Sequence, residues 1–321
     1  MEEKQIRRYL RRQFRPLGWS LVVYYLIMNA MVMLTMAVDS ATLALKNLAY
    51  GRPGLPMEKV QDVLAQNAWG YLLTIAVGLT ILLAWKGWEF FREEVFAKQK
   101  KMHFGSFCGI LCVFLGCQVG VSLYATVLEA LLNCIGLSAM TALEAATITA
   151  ETFSMFFYAS IAAPIVEEIL FRGFIQRSLL PFGKKFAVFA SALLFGMFHG
   201  NLIQTPYAFL VGLVLGYVAA EYNIWWAILL HMVNNMVLAD LLPRLLSFLP
   251  GMAGDMVMGS IVWGFAIAAV VILIVKRREV KTYLRSECMD RRCLRGFFGN
   301  SGFVVMSILL IVNMLMMVTP I

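Results

Sequence analysis

Apolar stretches close to the length of a bilayer recur along these 321 residues, and no other feature restricts the fold as strongly. Inside a bilayer every backbone N–H and C=O must be satisfied within the protein, so only helices and closed barrels can span it. Runs of about 20 apolar residues read as helices. Composition agrees: 61% hydrophobic, 14% charged and a mean hydropathy of +0.77 exceed what a soluble domain carries. The expected fold is all-α, a polytopic transmembrane helix bundle of about nine spans. The runs fall near residues 17–38, 68–85, 104–128, 152–180, 186–199, 206–220, 224–242, 259–275 and 303–318.

The formal charge of +8 is unevenly placed. Lysine and arginine crowd residues 1–16, 86–101, 184–185 and 276–295, all between or before apolar runs. Short basic loops stay cytoplasmic, which puts the N-terminus inside and, with nine spans, the C-terminus outside. The loop bearing Glu129, Glu144 and Glu151 is the external counterpart. The expected setting is the cell membrane, with anionic lipids at the basic loops. No nucleic-acid motif is present, so the basic charge does not imply that partner. The first apolar run is too long for a cleavable leader, and the last residues carry no prenylation box. Gly51-Arg-Pro-Gly54 reads as a turn. Cys108, Cys112, Cys117 and Cys134 read as small apolar side chains. Cys288 and Cys293, two thiols in a basic loop, make neither a metal site nor a cytosolic disulfide.

Against this apolar background stands Pro164-Ile-Val-Glu167-Glu168-Ile-Leu-Phe-Arg172-Gly173. Each charge at a membrane helix centre costs roughly 2.5–3.5 kcal/mol on insertion scales. On a helix Glu168 and Arg172 are four apart and can pair, with Arg172 neutralising Glu168. Glu167 is rotated about 100° away and needs another partner. Two of the three histidines lie in later apolar runs: Phe195-Gly-Met-Phe-His199, and His231-Met-Val-Asn234-Asn235. His231 and Asn235 share a helix face, and Asn234, at i+3, is the alternative amide. His103, beside Lys100 and Lys101, reads as a solvated side chain at a membrane edge. Gly212-x-x-x-Gly216 lets two helix backbones approach closely.

Polar side chains in membrane helices also serve as plain interhelical hydrogen bonds, at about 0.6 kcal/mol each. A carboxylate, two imidazoles and an amide on consecutive spans, beside an ion pair, point instead to a site. A carboxylate with a neutral imidazole can share a water and take its proton. A second imidazole with an amide can donate to a developing oxyanion. That chemistry is hydrolysis of a carbonyl compound, most simply a peptide bond. Glu167 would be the base, His199 its partner at the water, and His231 and Asn235 the oxyanion donors. No cofactor is required in this scheme. The same Glu167, His199 and His231 could instead hold a zinc with one open position, although no His-Glu-x-x-His is present.

Taken together, Glu167-Glu168-x-x-x-Arg172, Phe195-x-x-x-His199 and His231-x-x-x-Asn235 resemble the CPBP family, over about residues 152–242. That family comprises type II CAAX prenyl endopeptidases and Abi-like bacterial proteins. The resemblance implies an intramembrane endopeptidase whose catalytic residues are Glu167, His199, His231 and Asn235, with Glu168 and Arg172 supporting them. It implies a peptide or lipidated protein substrate in the membrane, prenylated or of bacteriocin type. The chain then divides into N-terminal helices (1–150), a catalytic core (151–242) and C-terminal helices with a basic loop (243–321). A non-catalytic immunity or scaffold protein of the same family is the alternative. A proton-coupled transporter would need broken helices and matching half-repeats, and the sequence offers neither. Two geometric expectations follow. The fourth helix should be long and tilted, from about residue 151 to 180, so that Glu167 can reach His199. The cavity should open towards the cytoplasmic leaflet, where a lipid-anchored peptide would arrive.

Overall fold

A computed structural model describes residues 3–50, 60, 64, 66–97, 100–146, 150–286 and 289–321. The Gly51–Gly54 turn and Cys288 lie outside these residues. The described chain is mainly helical, with two strands of two residues, Leu137–Ser138 (β1) and Thr319–Pro320 (β2), which pair antiparallel. Twelve helices are numbered in chain order among the described residues. α1 is Glu3–Ala49, α2 Trp69–Val95, α3 Phe104–Asn133 and α4 Met140–Ala146. α5 is Phe153–Phe182, α6 Lys184–Phe198, α7 Gln204–Glu221 and α8 Ile224–Leu246. α9 is Ala253–Val275, α10 Arg277–Ser286, α11 Arg291–Phe298 and α12 Ser301–Met316.

Six helices (α1, α2, α3, α5, α8 and α9) are long and apolar enough to cross a membrane. The pair α11 and α12, bent by 68°, would make a seventh. The difference from nine lies in α6 and α7, which have 15 and 18 residues and do not qualify. They form a short hairpin inside the bundle. The basic stretch at 276–295 is not a loop but two helices, α10 and α11.

The ends of the bundle differ in charge. At one end Phe14 of α1 packs on Phe182 (ring centroids 4.7 Å) and on Phe297 of α11 (5.8 Å), and Lys185 Nζ donates to the Leu284 carbonyl at 2.7 Å. This end gathers the arginines and lysines of residues 4–15, 177–185 and 276–295. At the other end β1 meets β2, Asn67 Nδ2 donates to Asp39, and the Glu151 amide donates to Gln66. Lys46 and Arg244 are the basic residues there among those described, beside Asp39, Glu129, Glu144, Glu151, Asp240 and Asp255.

α5 is the axis of the fold. Thr152 caps it, its side chain accepting from the Met155 amide. The helix then runs 30 residues, matching the expected long fourth helix. Two stretches are wound as π-helix: Tyr158–Ala162 and Ile169–Gln176. The first absorbs Pro164, which lacks an N–H and would otherwise break the ladder. α8 repeats the device, with a π-helical stretch at Asn234–Leu241 followed by Pro243. α5 ends at Pro181 and at Gly183, whose φ of 119° strains any other residue and turns the chain into α6.

The glycine pair in α7 does what its spacing suggests. A Cβ at Gly212 would meet Phe195 Cδ1 at 3.1 Å and Ala192 Cα at 3.2 Å; one at Gly216 would meet Gln176 Oε1 at 2.9 Å. The close approach leaves both carbonyls open to α5. Arg172 donates to Gly212 O at 3.2 Å and Gln176 to Gly216 O at 2.9 Å, so an i,i+4 pair docks on an i,i+4 pair. Gly212→Val should therefore wedge α6 from α7 and cost about 1–3 kcal/mol, as overpacking does. Thermal unfolding in detergent would show it, and an unchanged midpoint would mean that this contact gives way freely.

Candidate active site

Glu167 and His199 stand at equal distances from the turn between α5 and α6. Each is sixteen residues from Gly183, one before it and one after. Sixteen residues of helix on either side of the turn set the two at a similar depth, and both line one cavity. The long fourth helix thus brings Glu167 to the level of His199, as expected. α8 brings in the third group at that level, since His231 Nδ1 lies 2.9 Å from Glu168 Oε1.

The pairing of the carboxylates is more specific than their order in sequence shows. Arg172 Nη1 lies 3.0 Å from Glu168 Oε1, and both side chains are fully buried. The same oxygen faces His231 Nδ1, so Glu168 joins the arginine and the histidine. His231 Nε2 then points at Glu167 Oε2, 3.8 Å away. Glu167 is the open member of the set, its side chain 36% exposed against 8% for His231. His199 Nδ1 donates to the Phe195 carbonyl at 2.8 Å, which fixes the ring and leaves Nε2 free to accept a proton. The Phe195 ring abuts three of these groups: it meets His199 edge-on at 4.8 Å and His231 at 5.7 Å, and the Arg172 guanidinium lies over it at 4.3 Å.

Asn235 is held through two further side chains. Tyr207 Oη donates to Asn234 Oδ1 at 2.9 Å, Asn234 Nδ2 donates to Asn235 Oδ1 at 3.0 Å, and Asn235 Nδ2 donates to the Ala159 carbonyl at 3.1 Å. The amide therefore keeps one N–H to offer. Asn234 supports its neighbour rather than replacing it. The role of Tyr207 was hidden in the sequence, where it is one aromatic residue in an apolar helix. Its only cue is a hydroxyl that needs a partner once buried.

Glu167, His199, His231 and Asn235 all line one cavity of about 660 Å³. Phe114, Gln118 and Ser122 of α3 form a wall, and Leu143, Ala150, Asp240 and Pro243 lie farther along it. These last four belong to the acidic end of the bundle. The cavity thus extends away from the basic end. Towards the basic end Phe171, Phe174, Ile175, Leu179, Phe186 and Leu215, each 0–3% exposed, close the interior. His103 is exposed at the start of α3, away from the site. Among the described residues no group of three or more His, Cys, Asp or Glu side chains is placed to hold a metal ion. Cys108, Cys112, Cys117, Cys134 and Cys293 are free thiols outside the cavity.

Residues 149–237 match the family model for type II CAAX prenyl endopeptidase Rce1-like proteins, consistent with the CPBP family. The match takes in α5 to α7 and the first half of α8, and with them all four cavity residues. No curated protein and no solved structure matches the chain. At the level of the family, the match supports a CAAX-type intramembrane endopeptidase, and the six apolar helices mark a membrane protein.

Proposed function

We propose that this protein hydrolyses a peptide bond inside the membrane, in a membrane-associated peptide or lipidated protein of the prenylated or bacteriocin type. The observation that carries the reading is the convergence of Glu167, His199, His231 and Asn235 on one cavity, with His231 clamped by Glu168. A water between Glu167 and the free Nε2 of His199 loses its proton to them and attacks the carbonyl carbon. The carbonyl oxygen becomes an oxyanion. The spare N–H of Asn235 and the Nε2–H of a His231 imidazolium donate to it. Glu168 holds that imidazolium in place, as a buried carboxylate holds the histidine of a serine protease. Proton return from Glu167 to the amine expels the leaving peptide. No metal takes part in this scheme. The same reading places the protein in the cell membrane as a multi-pass protein, with anionic lipid headgroups against its basic end.

Purified protein given quenched peptides, prenylated and unprenylated, tests this directly. Turnover should occur on at least one class and survive a zinc chelator. Turnover abolished by the chelator would move the water onto a metal. Inertness on every peptide would favour the immunity or scaffold reading. Tyr207→Phe provides a finer check. It releases Asn234 and through it Asn235, and kcat should fall about tenfold, a fraction of the 10²–10³ lost with a whole oxyanion donor. Because Tyr207 touches no reacting atom, KM should hold; a rise in KM with constant kcat would make it a binding residue instead.

A further inference from the structure

The cavity that holds the site belongs to one end of the molecule. Its lining comes from the middle of α3, from the half of α5 that leads away from the basic end, from α8 between His231 and Pro243, from Leu143 and Ala150, and from the tip of the α6–α7 hairpin. Tyr124 of α3 reaches that tip, donating to the Leu202 carbonyl at 3.2 Å. Thr205 approaches Met314 of α12, three turns into the helix that leads to β2. Each cross-contact puts the cavity on the side of β1, β2 and the acidic loops. Ser122 and Ala239, two of its lining residues, are exposed. At the basic end a separate, smaller cavity of about 340 Å³, lined among others by Gln13, Lys86, Phe174 and Leu179, includes none of the four site residues, and the buried Phe171, Ile175 and Leu215 lie between the two. The lining contains no lysine or arginine.

Charge fixes which side that is. The basic end carries the lysine and arginine of three separate segments, whereas the opposite end has two basic residues among those described. Lysine and arginine in short membrane-flanking segments are retained in the cytoplasm. The basic end is therefore the cytoplasmic one, and the cavity mouth faces away from it.

We infer that substrate reaches Glu167 from the extracytoplasmic side, so that the class taken is a polypeptide segment exported across the membrane or tethered at its outer leaflet, not the C-terminus of a cytosolic lipidated protein. This rests on the endopeptidase reading for the word substrate; the direction of access stands on geometry and charge alone. Gln118 and Gln204 also line the cavity, and no lysine or arginine in the lining demands a terminal carboxylate on the segment.

Single cysteines at Ala239 and Ser122, in a full-length chain with its native cysteines replaced, test the direction. Arg285→Cys on α10 is the control for the basic end. A membrane-impermeant maleimide should label Ala239→Cys and Ser122→Cys in right-side-out vesicles and Arg285→Cys in inverted ones. If the cysteine-free chain does not fold, the same substitutions in the native background, read by peptide mapping, give the same answer. Cavity positions labelled only in inverted vesicles would overturn the inference, as would Arg285→Cys labelled from outside. The two readings fail differently. No peptide cleavage in detergent, where both faces are open, would remove the protease and leave the labelling intact. Cleavage in detergent combined with labelling from the basic side would remove the direction and leave the protease.

Discussion

Arg172→Met should destabilise the fold by about 3–5 kcal/mol, the loss expected when one partner of a buried ion pair is removed. Arg172 and Glu168 are both fully buried, and the arginine also donates to Gly212 O. Methionine fills much of the space but leaves the Glu168 carboxylate with His231 alone. The pair is not an optimised one to begin with: Glu168 Oε2 and Arg172 Nε have no hydrogen-bond partner among the described residues. Such a pair contributes little net stability over an apolar replacement, and its presence argues for a positioning role. The double change Glu168→Leu with Arg172→Met should accordingly recover most of the loss, a non-additivity that a double-mutant cycle measures. The recovered protein should still be inactive, because His231 has lost the group that orients it. A contrast lies nearby. Lys184 and Glu221 are 2.7 Å apart with side chains 37% and 29% exposed, and breaking that pair should cost under about 1 kcal/mol. If Arg172→Met unfolds at the wild-type midpoint, the buried quartet does not contribute as argued.

The sequence makes the motifs legible because charge inside an apolar run is costly and therefore conspicuous. Glu168 with Arg172 could be paired from spacing alone, since four residues is one turn. What spacing could not show is the third partner. His231 reaches Glu168 only because α8 packs beside α5, a contact between residues 63 apart. The span count is less legible. Residues 186–199 and 206–220 are as apolar as their neighbours, and nothing local says that their helices will be only 15 and 18 residues long. The tip of their hairpin is what sets His199 level with Glu167. The π-helical stretches are likewise invisible until proline positions are read with them: Pro164 and Pro243 each follow or interrupt a widened turn, in the two helices that carry the motifs. The direction in which the cavity runs is likewise not local: it depends on helix ends that bring Leu143, Ala150, Asp240 and Pro243 to one side of Glu167.

Glu167→Gln should lower kcat by about 10²–10⁴, the usual contribution of a general base, while the fold stays within about 0.5 kcal/mol of wild type. The two halves of this expectation come from different observations. Glu167 is the partly exposed member of the set and stands 3.8 Å from His231 Nε2, beyond hydrogen-bond distance, so an amide of the same shape sacrifices little structure. The same carboxylate faces the cavity across from His199, whose Nδ1 is already committed to Phe195 O. Glutamine can orient a water there but cannot take its proton. His199→Ala in the glutamine background should add little to the loss, because the two residues act as a unit on one water and neither alone completes the proton transfer. Full additivity would mean that they act at separate steps. Retained turnover in Glu167→Gln would remove the carboxylate from the chemistry and leave it as the counter-charge that balances His231 and Arg172 against Glu168. That outcome would also explain why the buried pair tolerates unsatisfied atoms: the four charges would then be a structural lock, and the water would have to be activated by His199 alone.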